Sequence, residues 1–216
     1  MEFVSSVAGQ SLQLMVMDEV RPLRGGPFLP DFSSAIVQRH RFSAAPESFP
    51  TDDQQAIKYF RGVLQVGDTT IPIGSLEIYR DGIIVNSRST EDSDQILQDF
   101  ITWTKEVLSL REPITHIPRN YQSQIVVSLE KSLNRLIVDF KKLGTLLSKT
   151  FGTDAALNVT RLSIGPHPPG NLPFQATWSI EPRQDQPFVS NRYLSIAPLA
   201  TAQHIELLTQ IEAAIG

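Results

Sequence analysis

Alternating apolar and polar residues mark three strands in the first half of the chain. Residues 58–66 and 70–79 are rich in β-branched and aromatic side chains, and Gly67-Asp68-Thr69 between them predicts a hairpin. Asp81-Gly82 precedes a third run, residues 83–88. That dipeptide predicts a type I′ turn, because the turn requires positive φ at both central residues. The pattern therefore predicts a three-stranded antiparallel meander.

A helical spacing follows the meander. Ser89 to Asp94 supplies an N-cap and acidic residues that suit the positive end of a helix dipole. Apolar residues then recur every three or four positions, which predicts a helix over residues 91–110. These apolar residues are Ile96, Leu97, Phe100, Ile101, Trp103, Val107, Leu108 and Leu110.

The second half of the chain repeats this order with different loop lengths. Three strands are predicted at residues 157–164, 174–181 and 188–196, and a helix is predicted at residues 201–215. The middle strand of each half carries a similar segment, Ser75-Leu76-Glu77-Ile78 in the first and Ser179-Ile180-Glu181 in the second. The order strand, strand, strand, helix thus appears twice, and the sequence leaves open whether this is a true duplication.

The remaining patterns complete the predicted architecture. Leucines and isoleucines at helical spacing predict a helix over residues 130–149, and a short strand is predicted just before it at residues 123–127. Residues 12–17 and 35–42 are two further strand candidates.

Hairpins with appended helices indicate the α+β class, with antiparallel sheets. Two prolines between residues 111 and 120 predict an extended connector. We therefore expect two sequential halves, residues 1–112 and 119–216, in one compact unit. Whether a pseudo-twofold axis relates them is left open.

Composition excludes several classes of protein. The chain has 216 residues and no cysteine, which removes disulfide frameworks, thiolate zinc sites, iron–sulfur clusters and cysteine nucleophiles. Its net charge is −4. No apolar run approaches the roughly 20 residues that span a bilayer, and no basic residue precedes Arg21 to form a signal peptide. We expect a cytoplasmic protein that does not enter a membrane.

Short catalytic motifs are missing from the sequence. Residues 144–150 resemble a phosphate-binding loop, but Ser148 stands where the motif needs glycine directly before the lysine, and the segment ends a predicted helix. The common hydrolase, zinc-protease and dinucleotide signatures are absent. The four histidines share no ligand spacing, so we expect neither a metal nor another cofactor. These observations favour a non-enzyme, although enzymes without short motifs stay open.

One segment is basic in an otherwise acidic protein. Between residues 21 and 41, four arginines face the single acid Asp31, a local charge of 4 − 1 = +3. The segment is interpreted as a solvated structural loop, a surface for a protein partner or an anion, or a nucleic-acid contact. Nucleic-acid sites are usually more basic than this, which ranks that reading last. The arginines are Arg21, Arg24, Arg39 and Arg41.

Other candidate binding residues lie near the strands of each half. His167 stands in a loop of three prolines and two glycines that would display its imidazole on a fixed backbone. Arg80, Arg88, Arg183 and Arg192 lie near the third strand of either half and would line a cleft if the halves face each other. Salt bridges with nearby acids explain these arginines equally well. His204, in the first turn of the last helix, is expected to be neutral and hydrogen-bonded.

These observations leave three functional hypotheses. The first is a non-catalytic protein that acts through protein–protein contact, as a homo-oligomer or as a component of a larger assembly. The second is a binder of a small anionic ligand, or an enzyme acting on one, in a cleft between the halves with Arg80, Arg88, His167 and Arg192. The third is weak nucleic-acid binding through the basic segment of residues 21–41.

Overall fold

The computed structural model describes residues 1–20, 29–46, 55–111, 114–130, 150, 160–165, 177–183 and 190–214. The predicted helix at residues 130–149 lies almost wholly outside this part of the chain. Arg21, Arg24 and His167 lie outside it as well. The described strands are β1 (Glu2–Leu14), β2 (Ile57–Val66), β3 (Thr69–Ile78), β4 (Gly82–Ser87), β5 (Asn120–Ser128), β6 (Leu162–Ile164), β7 (Trp178–Pro182) and β8 (Arg192–Ala197). The described helices are α1 (Met17–Val20), α2 (Leu29–His40), α3 (Thr90–Leu108) and α4 (Thr201–Ala214).

The chain divides into two compact units. One unit comprises Ala8–Gln122, and the other comprises Met1–Val7 with Ser123–Gly216. In the first unit the strand order is β2-β3-β4-β1. In the second unit it is β6-β7-β8-β5, so that β5 has the position next to the last meander strand that β1 has in the first. The pairings β1–β4, β2–β3, β3–β4, β5–β8, β6–β7 and β7–β8 are all antiparallel. The predicted α+β class, with strand, strand, strand, helix in each half, is confirmed.

The strand register makes the two units equivalent position by position. Ser75 pairs with Asn86 on the last strand of the first meander, and Ser179 pairs with Ile196 on the last strand of the second. The similar segments that begin at Ser75 and Ser179 therefore occupy the same place. Gly9 pairs with Ser87, the last residue of β4, and Ser123 pairs with Ala197, the last residue of β8. Gly9 and Ser123 are thus equivalent as well.

Each unit buries one face of its sheet under a helix. In the Ala8–Gln122 unit, α3 places Ile96, Leu97 and Phe100 against strand residues such as Leu76 and Val85. Helix α3 begins after Ser89, whose side chain accepts a hydrogen bond of 3.1 Å from the amide of Asp92. In the other unit, Leu208 of α4 packs in a cluster with Ile125, Val127, Ile180 and Tyr193.

The strand predicted at residues 35–42 is wrong, because this segment lies in helix α2, which ends at His40. Ile36 and Val37 are β-branched and favour strands, but burial decides the outcome. Ser33, Ile36 and His40 are the buried positions, and their spacing of three and four matches a helix face. Arg41 then adopts a φ of 50°, the left-handed conformation that commonly ends helices.

The turn before β4 also differs from the prediction. The β3–β4 hairpin is present, but Asp81 and Gly82 do not have the positive φ values of a type I′ turn. Gly82 already belongs to β4 and pairs with Leu14 of β1. A Cβ atom there would lie 2.9 Å from the carbonyl oxygen of Gln13, so glycine permits a close strand approach rather than an unusual turn.

Candidate interaction surface

The strands of the Ala8–Gln122 unit present a second face, opposite the one that α2 and α3 cover. We call it the outer face. It consists of the residues that alternate with the buried core positions along the four strands. Two rows cross it in register, one through Gln10, Asn86, Ser75 and Phe60, the other through Leu12, Ile84, Glu77 and Lys58.

The first row is joined by side-chain hydrogen bonds. The amide nitrogen of Gln10 donates to Oδ1 of Asn86 at 3.0 Å, and Nδ2 of Asn86 donates to the hydroxyl of Ser75 at 2.7 Å. The Ser75 hydroxyl in turn donates to Oε1 of Glu77 at 3.4 Å, which links the first row to the second. These contacts connect three neighbouring strands and hold the polar groups in fixed positions.

Glu77 neutralises Lys58, the one cation of these two rows. Nζ of Lys58 lies 2.8 Å from Oε2 of Glu77, and the Tyr79 hydroxyl donates to the same oxygen at 3.1 Å. The hydrogen bond to Glu77 raises the pKa of Lys58, while burial and the same carboxylate raise the pKa of Tyr79. Lys58 therefore stays charged and paired, and the two rows have no net charge.

The apolar members of the outer face lie beside these polar groups. Leu12 and Ile84 are half-buried neighbours on β1 and β4. Phe60, on β2, is 41% exposed, although large aromatic side chains are usually covered. The outer face thus combines an exposed aromatic ring, two aliphatic side chains and ordered neutral polar groups.

The other unit repeats the pattern at equivalent positions. Glu181 lies opposite Arg161, whose Nε is 3.9 Å from the Glu181 carboxylate, as Lys58 lies opposite Glu77. In this unit, however, Val126 is 1% exposed, whereas the equivalent Leu12 is half-buried. The equivalent residues, in the order of the two rows, are Gln124, Ile196 and Ser179, then Val126, Leu194, Glu181 and Arg161.

A buried polar chain lies on the helix-covered face of the Ser123–Gly216 part. Nδ1 of His204 is 2.8 Å from the Ser123 hydroxyl, and Nε2 is 2.9 Å from the Ser195 hydroxyl. All three residues are 0% exposed, and burial lowers the pKa of His204 to about 4. His204 is therefore neutral and hydrogen-bonded, as predicted, and it is closed to substrate.

The second buried histidine lies in the other unit, at the end of α2. His40 packs among the rings of Phe42, Phe100 and Trp103, and its Nε2 lies 3.4 Å from Oδ2 of Asp99. Burial lowers the pKa of His40, while the Asp99 carboxylate acts in the opposite direction. The ring therefore belongs to the core and does not offer a basic nitrogen to a ligand.

The described arginines of the sequence prediction occupy separate places. Arg39 binds Asp99, with Nη2 2.7 Å from Oδ1, and its guanidinium lies 5.3 Å from the centre of the Trp103 ring. Arg41 is exposed where α2 ends. Arg80 and Arg88 are exposed at opposite ends of β4, roughly 20 Å apart along a strand of that length. Arg192 is exposed at the start of β8, in the other unit.

Sequence reasoning missed the outer face, although its signal was present. Gln10 and Leu12, Ser75 and Glu77, and Ile84 and Asn86 are pairs two residues apart, which places each pair on one side of a strand.

The described residues contain no group of three or more acidic or histidine side chains placed to hold a metal ion. Among the described helices, none is long and apolar enough to cross a membrane.

Comparisons with known proteins do not assign this chain to a family. No family model matches the sequence. No curated protein matches it either. A solved structure of Methanococcus jannaschii TBP aligns with 99% of this chain and 97% of that chain, at 12% sequence identity and a TM-score of 0.41. The α+β class rests on the strands and helices described above, not on this similarity.

Proposed function

We propose that this chain is a non-catalytic protein that acts through protein–protein contact, and that the outer face of the Ala8–Gln122 unit is its contact surface. The observation that carries the proposal is the composition of that face. Phe60 is exposed at one end of the first row, whose other members are hydrogen-bonded neutral side chains, and Leu12 and Ile84 lie in the second row. Protein interfaces are enriched in aromatic residues and depleted of charge at their centres.

Charge argues against nucleic acid at this surface. A nucleic-acid site needs Lys and Arg free to contact phosphates. Lys58 is the one cation of the two rows, and Glu77 binds it at 2.8 Å. Arg39, from the basic segment, is likewise held by Asp99. A protein partner with apolar and neutral polar groups fits the outer face better.

The two described buried histidines support the non-catalytic part of the proposal. His204 and His40 are each 0% exposed, so neither reaches a substrate as an acid or a base. Their neighbours are serines in one case and aromatic rings in the other. The anionic-ligand and nucleic-acid hypotheses stay predictions, and the experiment below separates them from the proposal.

The absence of cysteine permits a direct test, because any introduced thiol is unique. Phe60→Cys places a thiol on the outer face, and Val107→Cys places the matched control on α3, where Val107 is 52% exposed. Each variant is labelled with a maleimide in purified form and in a native extract of its own cells. We expect the extract to slow labelling at position 60 at least fivefold and to leave position 107 unchanged.

Three outcomes would contradict the proposal. Equal labelling rates at both positions in extract and in purified form would show a free outer face. Protection that nuclease treatment removes would point to nucleic acid, and protection that desalting removes would point to a small ligand. Lys58→Cys serves as a second outer-face position in case Phe60→Cys itself weakens the contact.

A further inference from the structure

The hydrogen bonds around His204 determine which of its nitrogens carries the proton. Nε1 of Trp178 donates to the Ser195 hydroxyl at 3.1 Å, and that hydroxyl donates its own proton to the carbonyl of Ser179 at 3.1 Å. The Ser195 oxygen must therefore accept from His204, so Nε2 carries the hydrogen. Nδ1 is left with its lone pair, which accepts a hydrogen bond from the Ser123 hydroxyl.

A second proton on His204 has no favourable place in this arrangement. It would sit on Nδ1, where the Ser123 hydroxyl that now donates would have to turn and accept instead. His204 also lies in the first turn of α4, where the helix dipole disfavours a cation. Ser123 on β5, Ser195 on β8 and Trp178 on β7 face it with neutral groups, and Glu206, the nearest acid on α4, is exposed.

We propose that the Ser123–His204–Ser195 bridge is an acid-sensitive latch, which holds α4 against its sheet while His204 is neutral and releases the helix when the imidazole is protonated. The bridge joins α4 to two strands, β5 and β8, and all three side chains are buried. Protonation therefore reverses the Ser123 hydrogen bond and buries a charge at the start of the helix, which destabilises the packing of α4 on both strands. Burial lowers the pKa of His204 to about 4, so the latch stays closed at neutral pH.

The other unit lacks this latch at the equivalent position. There Ser93 replaces the histidine and donates to the Gly9 carbonyl, and a serine does not titrate in this range. That unit has its own buried histidine, His40, whose pKa burial also lowers, but the Asp99 carboxylate faces it and opposes this effect, while Arg39 adds to it. Acid should thus release α4 before it releases α3.

Hydrogen exchange read by mass spectrometry tests the latch on the full chain. Between pH 7 and pH 4.5, after correction for intrinsic exchange rates, we expect protection of residues 201–214 to fall at least tenfold more than that of residues 90–108. His204→Gln, which supplies a hydrogen-bond donor and acceptor but cannot titrate, should remove most of this difference. His116→Gln, at an exposed histidine, should leave it unchanged.

An NMR titration of the wild-type imidazoles keeps the proposal falsifiable if His204→Gln does not fold. Protonation of His204 should coincide with the loss of protection in α4. Protonation without loss of protection would overturn the latch, and so would loss of protection in α3 before α4. An unchanged pH dependence in a folded His204→Gln variant would overturn it as well.

Discussion

The hydroxyl of Ser93 donates a hydrogen bond of 2.6 Å to the carbonyl oxygen of Gly9, joining the first turn of α3 to β1. In the other unit, Ser123 and His204 meet at the equivalent strand and helix positions, 2.8 Å apart. Both contacts are buried, and each ties a helix start to the first strand of its own sheet. The two units thus connect helix and strand at equivalent positions, through a serine–carbonyl hydrogen bond in one and a serine–imidazole hydrogen bond in the other.

The close contact between the start of α3 and β1 predicts that Gly9 does not tolerate a side chain. A Cβ atom there would lie 1.9 Å from the carbonyl carbon of Ser89 and 2.1 Å from the amide nitrogen of Thr90. We expect Gly9→Ala to lower the free energy of unfolding by about 2–3 kcal/mol, the cost of an overpacked contact that forces the backbone to move. Denaturant unfolding measures the change.

Gly67 provides the matched control for Gly9→Ala. It lies in the β2–β3 turn with a φ of +56°, and a Cβ atom would meet nothing within 4 Å. Gly67→Asn keeps a residue that tolerates this φ, so we expect a change below about 0.5 kcal/mol. Wild-type stability for Gly9→Ala would contradict the close approach of α3 to β1.

The tautomer of His204 is a second prediction. Nitrogen-15 NMR of the imidazoles should show Nε2 protonated and Nδ1 unprotonated in His204 at pH 7, because Ser195 accepts there and Ser123 donates on the other side. The opposite tautomer would contradict the assigned direction of the Ser195 hydrogen bonds. Ser195→Ala, which removes the acceptor at Nε2, should change the Nε2 resonance in a folded variant.

The lowered pKa of His204 also sets the sign of a stability change. The unfolded imidazole binds a proton near pH 6.5 and the folded one only at about 4, so the unfolded state holds more protons between these values. Stability should therefore fall as the pH drops from 6.5 to 4, by about 3 kcal/mol in total from this residue. Chemical denaturation at pH 7 and pH 4.5 measures it, and greater stability at pH 4.5 would contradict the burial of a neutral ring.

Asp99 is expected to control the titration of His40. Its carboxylate raises the pKa of His40 against the larger effect of burial. Asp99→Asn removes that charge, so the pKa of His40 should fall further, as NMR titration would show. The exposed partner Arg39 should contribute only about 0.2–1 kcal/mol to stability through the same carboxylate.

Asp94→Asn is the control for that measurement, because Asp94 also lies on α3 but pairs with Arg119, its Oδ1 3.0 Å from Nη1 of that residue. It should leave the pKa of His40 unchanged. A rise in the pKa of His40 in Asp99→Asn would contradict the conclusion that the Asp99 carboxylate, 3.4 Å away, stabilises the imidazolium.

The sequence predicted the elements whose apolar spacing agrees with their local preference. Helix α3 and the hairpins of the first meander were located to within a few residues, because burial and propensity favour the same conformation there. Helix α2 was missed because Ile36 and Val37 prefer strands, whereas packing of one face against β2 favours a helix. Local conformational propensity carries no information about that tertiary contact.

The candidate surface could not be predicted in the same way. The resemblance of Ser75-Leu76-Glu77 to Ser179-Ile180-Glu181 was visible, but the partners of Glu77 and Glu181 follow from register. Register depends on how strands pair across many residues, which a single sequence does not specify. Likewise, the neutral state of His204 was predicted from its place at a helix start, while its two serine partners come from distant strands.

Native mass spectrometry of untagged protein from its own cells tests the central claim most directly, namely that the outer face binds a protein. Phe60→Asp places a charge at the exposed ring of that face, and Val107→Asp places the same charge on α3. We predict that wild type and Val107→Asp are recovered in a complex heavier than one 24.1 kDa chain, and that Phe60→Asp is recovered as the single folded chain. A monomeric wild type, or a complex that persists in Phe60→Asp, would contradict the account.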